Sequence, residues 1–564
     1  MPLFAYYLKY YICITITHTP KFLHYMNDLR FVSMRGLTYA VLTALMIVMM
    51  KPASSQVHDP KKTDQKFASA LQIIRFAYVD TVNEEKLTEA AIEGMLKELD
   101  PHSTYMSKAE VEKANEPLQG NFEGIGVQFD IIRDTILVVT PIPGGPSEKL
   151  GIMSGDKIVT IDGEDATGTK VNNEYVLGKL RGTKGTTVVV GIYRKGNKKL
   201  LEFSITRDKI PIFSLDAAYM AAPGVGYIKL NRFSATTMEE YRTAMAKLKN
   251  QGMTSLILDL QNNSGVYLNT AIDLCDEFLP EGKLSVYTEG YFSPKQESIA
   301  TRNGSFEKGR LVVLVNEGSA SASEIVAGAV QDWDRAIIIG RRTFGKGLVQ
   351  RPYTLTDGSV IRLTTAHYYT PTGRCVQKPY DDGVDKYYED LTKRFEHGEL
   401  VNSDSIRFPD SLKYYTPNKK LVYGGGGIMP DIFVALDTTS LEYYTSVIRK
   451  GILNEFVQNY MEKNRESLKK QYPNVDAFSK DYQVSPAMMK EFTTFAEEKG
   501  VKKEETDFAR SEKHLRNLIK ARIAQNLFDF AAFWQVFNEL DDIYLKGLEI
   551  IQDKNKFREY KINE

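Results

Sequence analysis

The stretch that decides the fold is Leu311-Val312-Val313-Leu314-Val315, then Ser319-Ala320-Ser321-Ala322-Ser323-Glu324, then Ile325-Val326-Ala327-Gly328-Ala329-Val330. The first run is continuously apolar, which predicts a buried strand, and the last has apolar residues at helical spacing. Ser321 therefore stands where a strand turns into a helix. Such a turn exposes a hydroxyl and directs free backbone N–H groups at whatever the hydroxyl attacks.

The same alternation of strand and helix extends over residues 209–375. It predicts an α/β core with parallel strands. The rest of the chain predicts flanking helices and one β-rich module. We expect five regions: an N-terminal extension with a signal peptide (1–56), a helical region (57–116), the β-rich module (117–208), the α/β core (209–440, with a polar insertion at 376–423) and a helical C-terminal region (441–564).

Composition excludes some classes of function. Lys+Arg and Asp+Glu are both 72, so the net charge is zero, which argues against nucleic acid as the main partner. The three cysteines are far apart in sequence and the seven histidines are scattered. Neither set has metal-ligand spacing, so we expect no metal and no other cofactor.

The N-terminal segment is typical of an exported protein. Residues 37–50 are almost entirely apolar, Arg30 and Arg35 precede them, and small residues follow. This pattern predicts a signal peptide around residues 34–55 and a periplasmic or otherwise extracytoplasmic protein. The alternative is an uncleaved segment that anchors the protein near the inner membrane.

A serine and a lysine carry the expected chemistry. A serine hydroxyl is a weak nucleophile until a base removes its proton. Lys346, between two glycines and close to Phe344 and Leu348, can act as that base if desolvation lowers its pKa from about 10.4 to near 7. Gln350 follows four residues later and could orient the amine.

The negative charge on a tetrahedral intermediate needs fixed N–H donors. The first candidate is the N–H of Ala322, directly after the proposed nucleophile. The second should come from the loop after the predicted strand at residues 255–260, where we expect Gly265 or Val266. For Ser321 taken alone, a helix N-cap remains the alternative interpretation.

The β-rich module carries a glycine-rich turn that could bind a peptide end. Consecutive N–H groups of Gly124, Ile125, Gly126 and Val127 could hold a terminal carboxylate, and the adjoining strand edge could pair with an extended peptide. With Pro146-Ser147 and Gly155-Asp156 downstream, the module resembles a PDZ domain.

From residue 67 to residue 430 the chain resembles the carboxyl-terminal processing peptidases, also called tail-specific proteases. The resemblance rests on Leu99-Asp100-Pro101-His102-Ser103, on residues 319–324, and on Thr343-Phe344-Gly345-Lys346-Gly347 with Gln350. It implies a crotonase/ClpP-like α/β protease core with an inserted PDZ domain, Ser321 as nucleophile, Lys346 as base and Gln350 as assistant. The polar insertion is similar to that of Bacteroidetes-type members.

One loop departs from the family pattern. Where the family usually has Leu-Asp-Leu-Arg-x-Asn-Pro-Gly-Gly, this chain has Gln261 for Arg, Ser264 for Pro and Val266 for the second Gly. A β-branched residue resists positive φ. If the loop needs a glycine there, the oxyanion hole is distorted.

The leading hypothesis is an exported serine endopeptidase that captures apolar C-terminal tails and cleaves through an acyl-enzyme. The altered loop keeps a second hypothesis open, a catalytically impaired PDZ-bearing scaffold of the same fold. A Ser–Lys amidase acting on small molecules is a third, disfavoured because a small substrate needs no tail-capture domain. The helical flanks would suit a homodimer, and an activating or adaptor protein is a further expected partner.

Overall fold

The computed structural model describes residues 60–438 and 442–563. The predicted signal peptide lies outside the described residues. No described helix is both long and apolar enough to cross a membrane. The chain divides into two compact units, one ending at Leu87 and the other beginning at Thr88.

The N-terminal region is helical, as its apolar spacing predicts. In the first unit, Arg75 and Glu84 form an ion pair. The turn at residues 100–103 is followed by a three-residue strand that apolar spacing did not predict. The elements are α1 (Pro60–Ala77), α2 (Glu84–Lys97), β1 (Thr104–Met106) and α3 (Lys108–Gln119).

The β-rich module is an antiparallel sheet in the order β3-β4-β5-β7-β8, with β6 on β5 and with β2 paired to β9. The strand Thr187–Tyr193 is not the last of the module, because Leu201–Thr206 follows and pairs with it. The elements are β2 (Asn121–Gly124), β3 (Val127–Ile132), β4 (Thr135–Pro141), α4 (Pro146–Lys149), β5 (Lys157–Ile161), β6 (Glu164–Asp165), α5 (Asn173–Leu180), β7 (Thr187–Tyr193), β8 (Leu201–Thr206) and β9 (Asp208–Pro211).

The α/β core contains two sheets. One has the order β10-β11-β12-β15-β16-β21, parallel from β11 to β21, and the other has the order β1-β18-β13-β14 with β17 on β18. The elements are β10 (Leu215–Ala222), β11 (Val225–Leu230), α6 (Thr237–Asn250), β12 (Ser255–Asp259), α7 (Leu268–Cys275), β13 (Leu284–Gly290), β14 (Ser293–Ile299), β15 (Arg310–Val315), α8 (Ala322–Asp332), β16 (Ile337–Gly340), β17 (Leu348–Thr354) and β18 (Val360–Tyr369).

The insertion at 376–423 has structure of its own. Its main element is a helix, and the chain returns to the parallel sheet through a short strand beside β16. The elements are α9 (Val384–Glu396), β19 (Lys413–Tyr415), β20 (Leu421–Tyr423) and β21 (Ile432–Phe433), with 3₁₀ turns at Ser403–Ser405 and Asp410–Leu412.

The C-terminal region is helical, as predicted, and its last helices cover one face of the parallel sheet. Ile543, Ile551 and Phe557 are buried in the same cluster as Val312 and Leu314. The elements are α10 (Glu442–Arg449), α11 (Ile452–Gln471), α12 (Val475–Asp481), α13 (Pro486–Glu498), α14 (Glu505–Leu527), α15 (Phe530–Phe537), α16 (Asp542–Gln552) and α17 (Lys554–Glu559), with a 3₁₀ turn at Asn538–Leu540. The predicted fold class, an α/β core with an inserted β-rich domain and flanking helices, is confirmed.

Candidate active site

The turn between β15 and α8 presents Ser321 differently from its neighbouring serines. Ser319 and Ser323 are fully buried, and their hydroxyls donate to the carbonyls of Leu260 and Asn263, each at 2.8 Å. Ser321 is only half-buried and has φ +56°, a conformation that costs energy for a residue with a side chain. The fold therefore holds the two outer serines through buried hydrogen bonds and leaves Ser321 partly exposed at the N-cap of α8.

Lys346 lies in the loop between β16 and β17. Its Nζ donates to Gln350 Oε1 at 3.3 Å, and Gln350 Nε2 in turn donates to the His102 carbonyl. Burial lowers the pKa of Lys346 below its usual value, and the positive charge of Arg362 lowers this pKa further. Both effects shift the equilibrium toward the neutral amine, the form that a general base requires.

Glu324 joins the serine turn to the lysine loop. Its fully buried carboxylate accepts the N–H groups of Ser321 (2.8 Å) and Lys346 (2.9 Å) at one oxygen atom. The other oxygen accepts the Gly345 N–H at 2.7 Å and the Thr343 hydroxyl at 2.5 Å. Burial raises the pKa of Glu324, while these donors stabilise its charged form.

Tyr368, on β18, makes a second connection between the same two segments. Its hydroxyl lies 2.6 Å from the Lys346 carbonyl and 3.1 Å from the Ser321 carbonyl. The residue is almost fully buried, which raises the pKa of its hydroxyl well above the usual value and keeps the proton available for donation.

The loop after β12 lies directly against the serine. Gly265 has φ +85°, and a Cβ at this position would be 2.6 Å from the Ala322 nitrogen and 2.9 Å from Ser321 Cβ. The Gly265 N–H donates to Asn263 Oδ1 at 2.9 Å, so it is already engaged. In the part of the chain that the structure describes, the N–H groups of Ala322 and Val266 have no acceptor. Of the three N–H groups predicted as oxyanion donors, those of Ala322 and Val266 are therefore not engaged within the described residues.

Val266 stands where the family pattern has glycine, and its backbone adopts a positive φ. Its φ is +139°, unfavourable for a β-branched residue, and its side chain is 47% exposed. The Phe233 N–H donates to the Gly265 carbonyl (3.1 Å) and the Tyr267 N–H to the Phe233 carbonyl (3.2 Å). The bonds on either side of Val266 therefore hold the strained conformation in place.

Three residues of the site were not assigned a role from the sequence: Glu324, Tyr368 and His102. Glu324 carried a usable signal, because Ser-x-x-Glu at a helix start predicts a carboxylate that reaches back to the cap N–H. His102 Nε2 lies 2.8 Å from the Tyr387 hydroxyl, and burial together with the charge of Lys346 lowers the pKa of His102 to about 4. Its contacts come from residues far away in sequence, which no local pattern reveals.

Among residues 60–438 and 442–563, no group of three or more His, Cys, Asp or Glu side chains is placed to hold a metal ion.

The glycine-rich turn of the β-rich module is fixed through its carbonyls. The Ile125 carbonyl accepts both the N–H (3.1 Å) and the hydroxyl (2.6 Å) of Ser147, and the Gly126 carbonyl accepts the Ile142 N–H at 2.9 Å. The N–H groups of Ile125 and Gly126 have no acceptor within the described ranges. Val127 then begins β3, an edge strand of the sheet, so these donors lie at the start of a strand that has a neighbour on one side within its sheet.

Comparison with known protein families gives four matches along the chain. Peptidase family S41 matches residues 224–389, and the PDZ domain matches residues 124–205. The activating protease CtpB N-terminal domain matches residues 33–110, and a family of unknown function matches residues 443–529.

Two relatives are named as carboxy-terminal processing proteases. A carboxy-terminal-processing protease of Bartonella bacilliformis is 36% identical over 342 residues, 60% of this chain and 78% of the relative. The carboxy-terminal processing protease CtpB of Bacillus subtilis is 35% identical over 332 residues, 58% of this chain and 68% of the relative. Among solved structures, a photosystem II D1 C-terminal processing protease is 27% identical, covers 66% of this chain and 93% of its own, and has a TM-score of 0.34. The chain therefore belongs to peptidase family S41 and is a serine-type peptidase related to the carboxy-terminal processing proteases.

Proposed function

We propose that this peptidase is exported, captures the apolar C-terminal tail of a protein in its PDZ domain and cleaves that protein through an acyl-enzyme on Ser321. The observation that carries the proposal is the carboxylate of Glu324, which binds the Ser321 and Lys346 N–H groups at one oxygen. This contact joins the backbone of the two segments that carry Ser321 and Lys346, which supports the proposal that the serine and the lysine act together.

In the first half of the reaction, Ser321 Oγ attacks the peptide carbonyl carbon while its proton passes to the neutral amine of Lys346. The carbonyl oxygen becomes an oxyanion, for which the Ala322 and Val266 N–H groups are the proposed donors. The C–N bond then breaks, Lys346 gives the proton to the leaving amine, and an ester on Ser321 remains. Gln350 keeps the lysine amine oriented through its 3.3 Å contact.

In the second half, water attacks the ester and Lys346 accepts a proton from that water. Collapse of the second tetrahedral intermediate returns the proton to Ser321 Oγ and releases the new carboxyl terminus. No cofactor is needed, because the proton is the only group that moves between enzyme and substrate besides the acyl chain.

The PDZ domain supplies a surface for a peptide end. The N–H groups of Ile125 and Gly126 would bind the terminal carboxylate, and the open edge of β3 would pair with the tail. Phe129 and Tyr175 are partly buried hydrophobic residues on β3 and α5, packed against the module's core. An apolar final residue is the tail chemistry that suits such a lining.

Location and further partners are also proposals. The apolar segment at residues 37–50 supports export to the periplasm or another extracytoplasmic compartment. An activating or adaptor protein is a further proposed partner.

The experiment that tests the proposal measures cleavage of a disordered protein with an apolar C-terminus by the purified protein, with Ser321→Ala and Lys346→Ala alongside. We expect cleavage by the unmutated protein and none by either variant. Full activity of Ser321→Ala would refute the mechanism. Retained tail binding without any cleavage or acylation at Ser321 would instead favour the catalytically impaired scaffold, the alternative that the strained Val266 keeps open.

A further inference from the structure

Helix α9 of the insertion packs against the loop that carries Lys346. Its residue Arg394 has a side chain only 3% exposed. The guanidinium donates from NH1 to the Thr343 carbonyl at 2.8 Å and from NH2 to the Phe344 carbonyl at 3.2 Å. A buried arginine thus binds two consecutive peptide carbonyls just before the lysine.

The same two peptide units are held at their other ends by the serine turn. The Phe344 N–H, which belongs to the peptide of the Thr343 carbonyl, donates to the Ser319 carbonyl at 2.9 Å. The Gly345 N–H, which belongs to the peptide of the Phe344 carbonyl, donates to Glu324 at 2.7 Å. Each unit is therefore fixed between Arg394 on one side and the nucleophile segment on the other.

Helix α9 also reaches the turn that orients Gln350. The Tyr387 hydroxyl lies 2.8 Å from His102 Nε2, and the Tyr388 hydroxyl donates to the Pro101 carbonyl at 3.0 Å. The His102 carbonyl is the acceptor for Gln350 Nε2. One helix is thus in contact with both segments that set the position of the lysine amine.

Arg394 itself is held in place by acidic partners. Its Nε lies 2.9 Å from Asp390, one turn earlier on α9, and 4.0 Å from Glu399. Asp390 also pairs with Lys378 at 3.0 Å. A charged side chain that is buried, neutralised and directed at two backbone carbonyls has little freedom to occupy another position.

We propose that α9 is a positioning element for the catalytic base, with Arg394 holding the Lys346 loop and Tyr387 holding the turn that orients Gln350. The inference rests on the proposed function, since it assigns the insertion a role in that same site. Peptidase activity then depends on α9, a segment outside the motifs that contain Ser321 and Lys346. Neither residue touches the reacting atoms, so each acts only through Lys346 and Gln350.

The test compares Arg394→Lys with Lys393→Ala in the purified protein. Arg394→Lys keeps the charge but loses the planar fork that spans two carbonyls. Lys393, the adjacent cation on α9, has a side chain 43% exposed and pairs with Glu389, one turn earlier on the same helix. Steady-state cleavage of a quenched peptide with an apolar C-terminus separates kcat from KM, and hydrogen exchange of residues 343–347 reports on the loop without requiring catalysis.

We expect Arg394→Lys to lower kcat by about 10- to 100-fold with KM unchanged, because a small misplacement of a catalytic group reduces the rate that strongly. Exchange at residues 343–347 should become faster in this variant, and Lys393→Ala should match the unmutated protein in both measurements. Tyr387→Phe removes one hydroxyl and should also lower kcat, so the proposal stays testable even if Arg394→Lys does not fold.

Unchanged kcat and unchanged exchange in these variants would overturn the positioning role, as would a loss confined to KM. Failure of the proposed function gives a different result. In that case the unmutated protein cleaves no peptide, while faster exchange in Arg394→Lys would still support the contact between α9 and the lysine loop.

Discussion

The carboxylate of Glu324 accepts the backbone N–H of Lys346 at 2.9 Å across 22 residues of sequence. The same oxygen accepts the Ser321 N–H at 2.8 Å. Because carboxylates form short, strong bonds with N–H donors, this contact fixes the distance between the segments that carry Ser321 and Lys346. Glu324 is therefore part of how the fold builds the candidate site.

Removing the charge of Glu324 should loosen the site. In Glu324→Gln the amide NH2 must replace one oxygen, so it faces N–H donors instead of accepting from them. We expect a stability loss of about 2–3 kcal/mol, typical for a buried charged acceptor, and a clear fall in kcat. Urea unfolding and peptide cleavage measure the two effects.

The control for that change is Glu239→Gln, at an exposed position in the first turn of α6. It makes the same chemical substitution at a helix start without a buried network, so both measurements should stay near those of the unmutated protein. Equal stability of Glu324→Gln and Glu239→Gln would contradict the structural role assigned to Glu324.

The pH dependence of cleavage should follow Lys346. The base must be neutral, and burial with the charge of Arg362 lowers its pKa. We therefore expect kcat/KM to rise with pH to a plateau, with a midpoint below 10.5, the ordinary lysine pKa. Unfolding would return the lysine to water, where it binds its proton more strongly, so its contribution to stability should increase as pH rises through the lowered pKa.

Arg362→Gln tests the electrostatic part of this shift. Loss of the positive charge should raise the pKa of Lys346 and move the midpoint of the kcat/KM profile to higher pH. Arg351→Gln removes an exposed cation from β17 and serves as the control. A midpoint that stays in place in Arg362→Gln would show that burial alone sets the pKa of the base.

Tyr368→Phe should weaken the site by removing one hydroxyl. The Ser321 and Lys346 carbonyls would lose their shared donor, and an unsatisfied buried polar group costs about 1–3 kcal/mol. We expect lower stability and lower kcat with KM unchanged. Tyr369→Phe, at the next position of β18 where the ring stacks on Tyr287, should leave cleavage unaltered.

The spacing of apolar residues along the chain predicted the fold class, because it follows which strands and helix faces are buried in the core. Residues 311–315 and 255–259 form buried parallel strands, and the helix after Ser321 begins where its apolar spacing begins. The strand Thr104–Met106 escaped prediction because it has only three residues and owes its existence to pairing with β18. Strands formed by long-range pairing carry little local signal.

The sequence predicts candidate site residues where family motifs contain them, and it predicts none that depend on tertiary contacts. The family motifs directed attention to Ser321, Lys346 and Gln350. Nothing in the sequence near Arg394 or Tyr387 indicated contact with the lysine loop, since the insertion is polar and its partners lie 51 and 285 residues away. Contacts across such separations become visible only once the chain is folded.

Two substitutions in the loop after β12, at Gly265 and Val266, should have opposite effects on this proposed oxyanion loop. In Gly265→Ala, a Cβ would lie 2.6 Å from the Ala322 nitrogen, and φ +85° would strain the backbone. The loop would have to move away from the serine. We expect a loss of activity of about 10²- to 10³-fold, similar to that seen when one oxyanion donor is removed. Activity close to that of the unmutated protein would show that this loop does not contribute to the hole.

Val266→Gly should act in the other direction. The valine is held at φ +139°, and such strain costs about 1–3 kcal/mol, more than the roughly 0.5–1 kcal/mol that a glycine adds through the unfolded chain. We therefore expect stability to rise and kcat to be equal or higher, measured by urea unfolding and peptide cleavage. If the unmutated protein is inactive and Val266→Gly cleaves, the strained valine is what disables the hole, and the scaffold interpretation gains support. If Val266→Gly instead lowers kcat, the valine has become part of a working oxyanion loop.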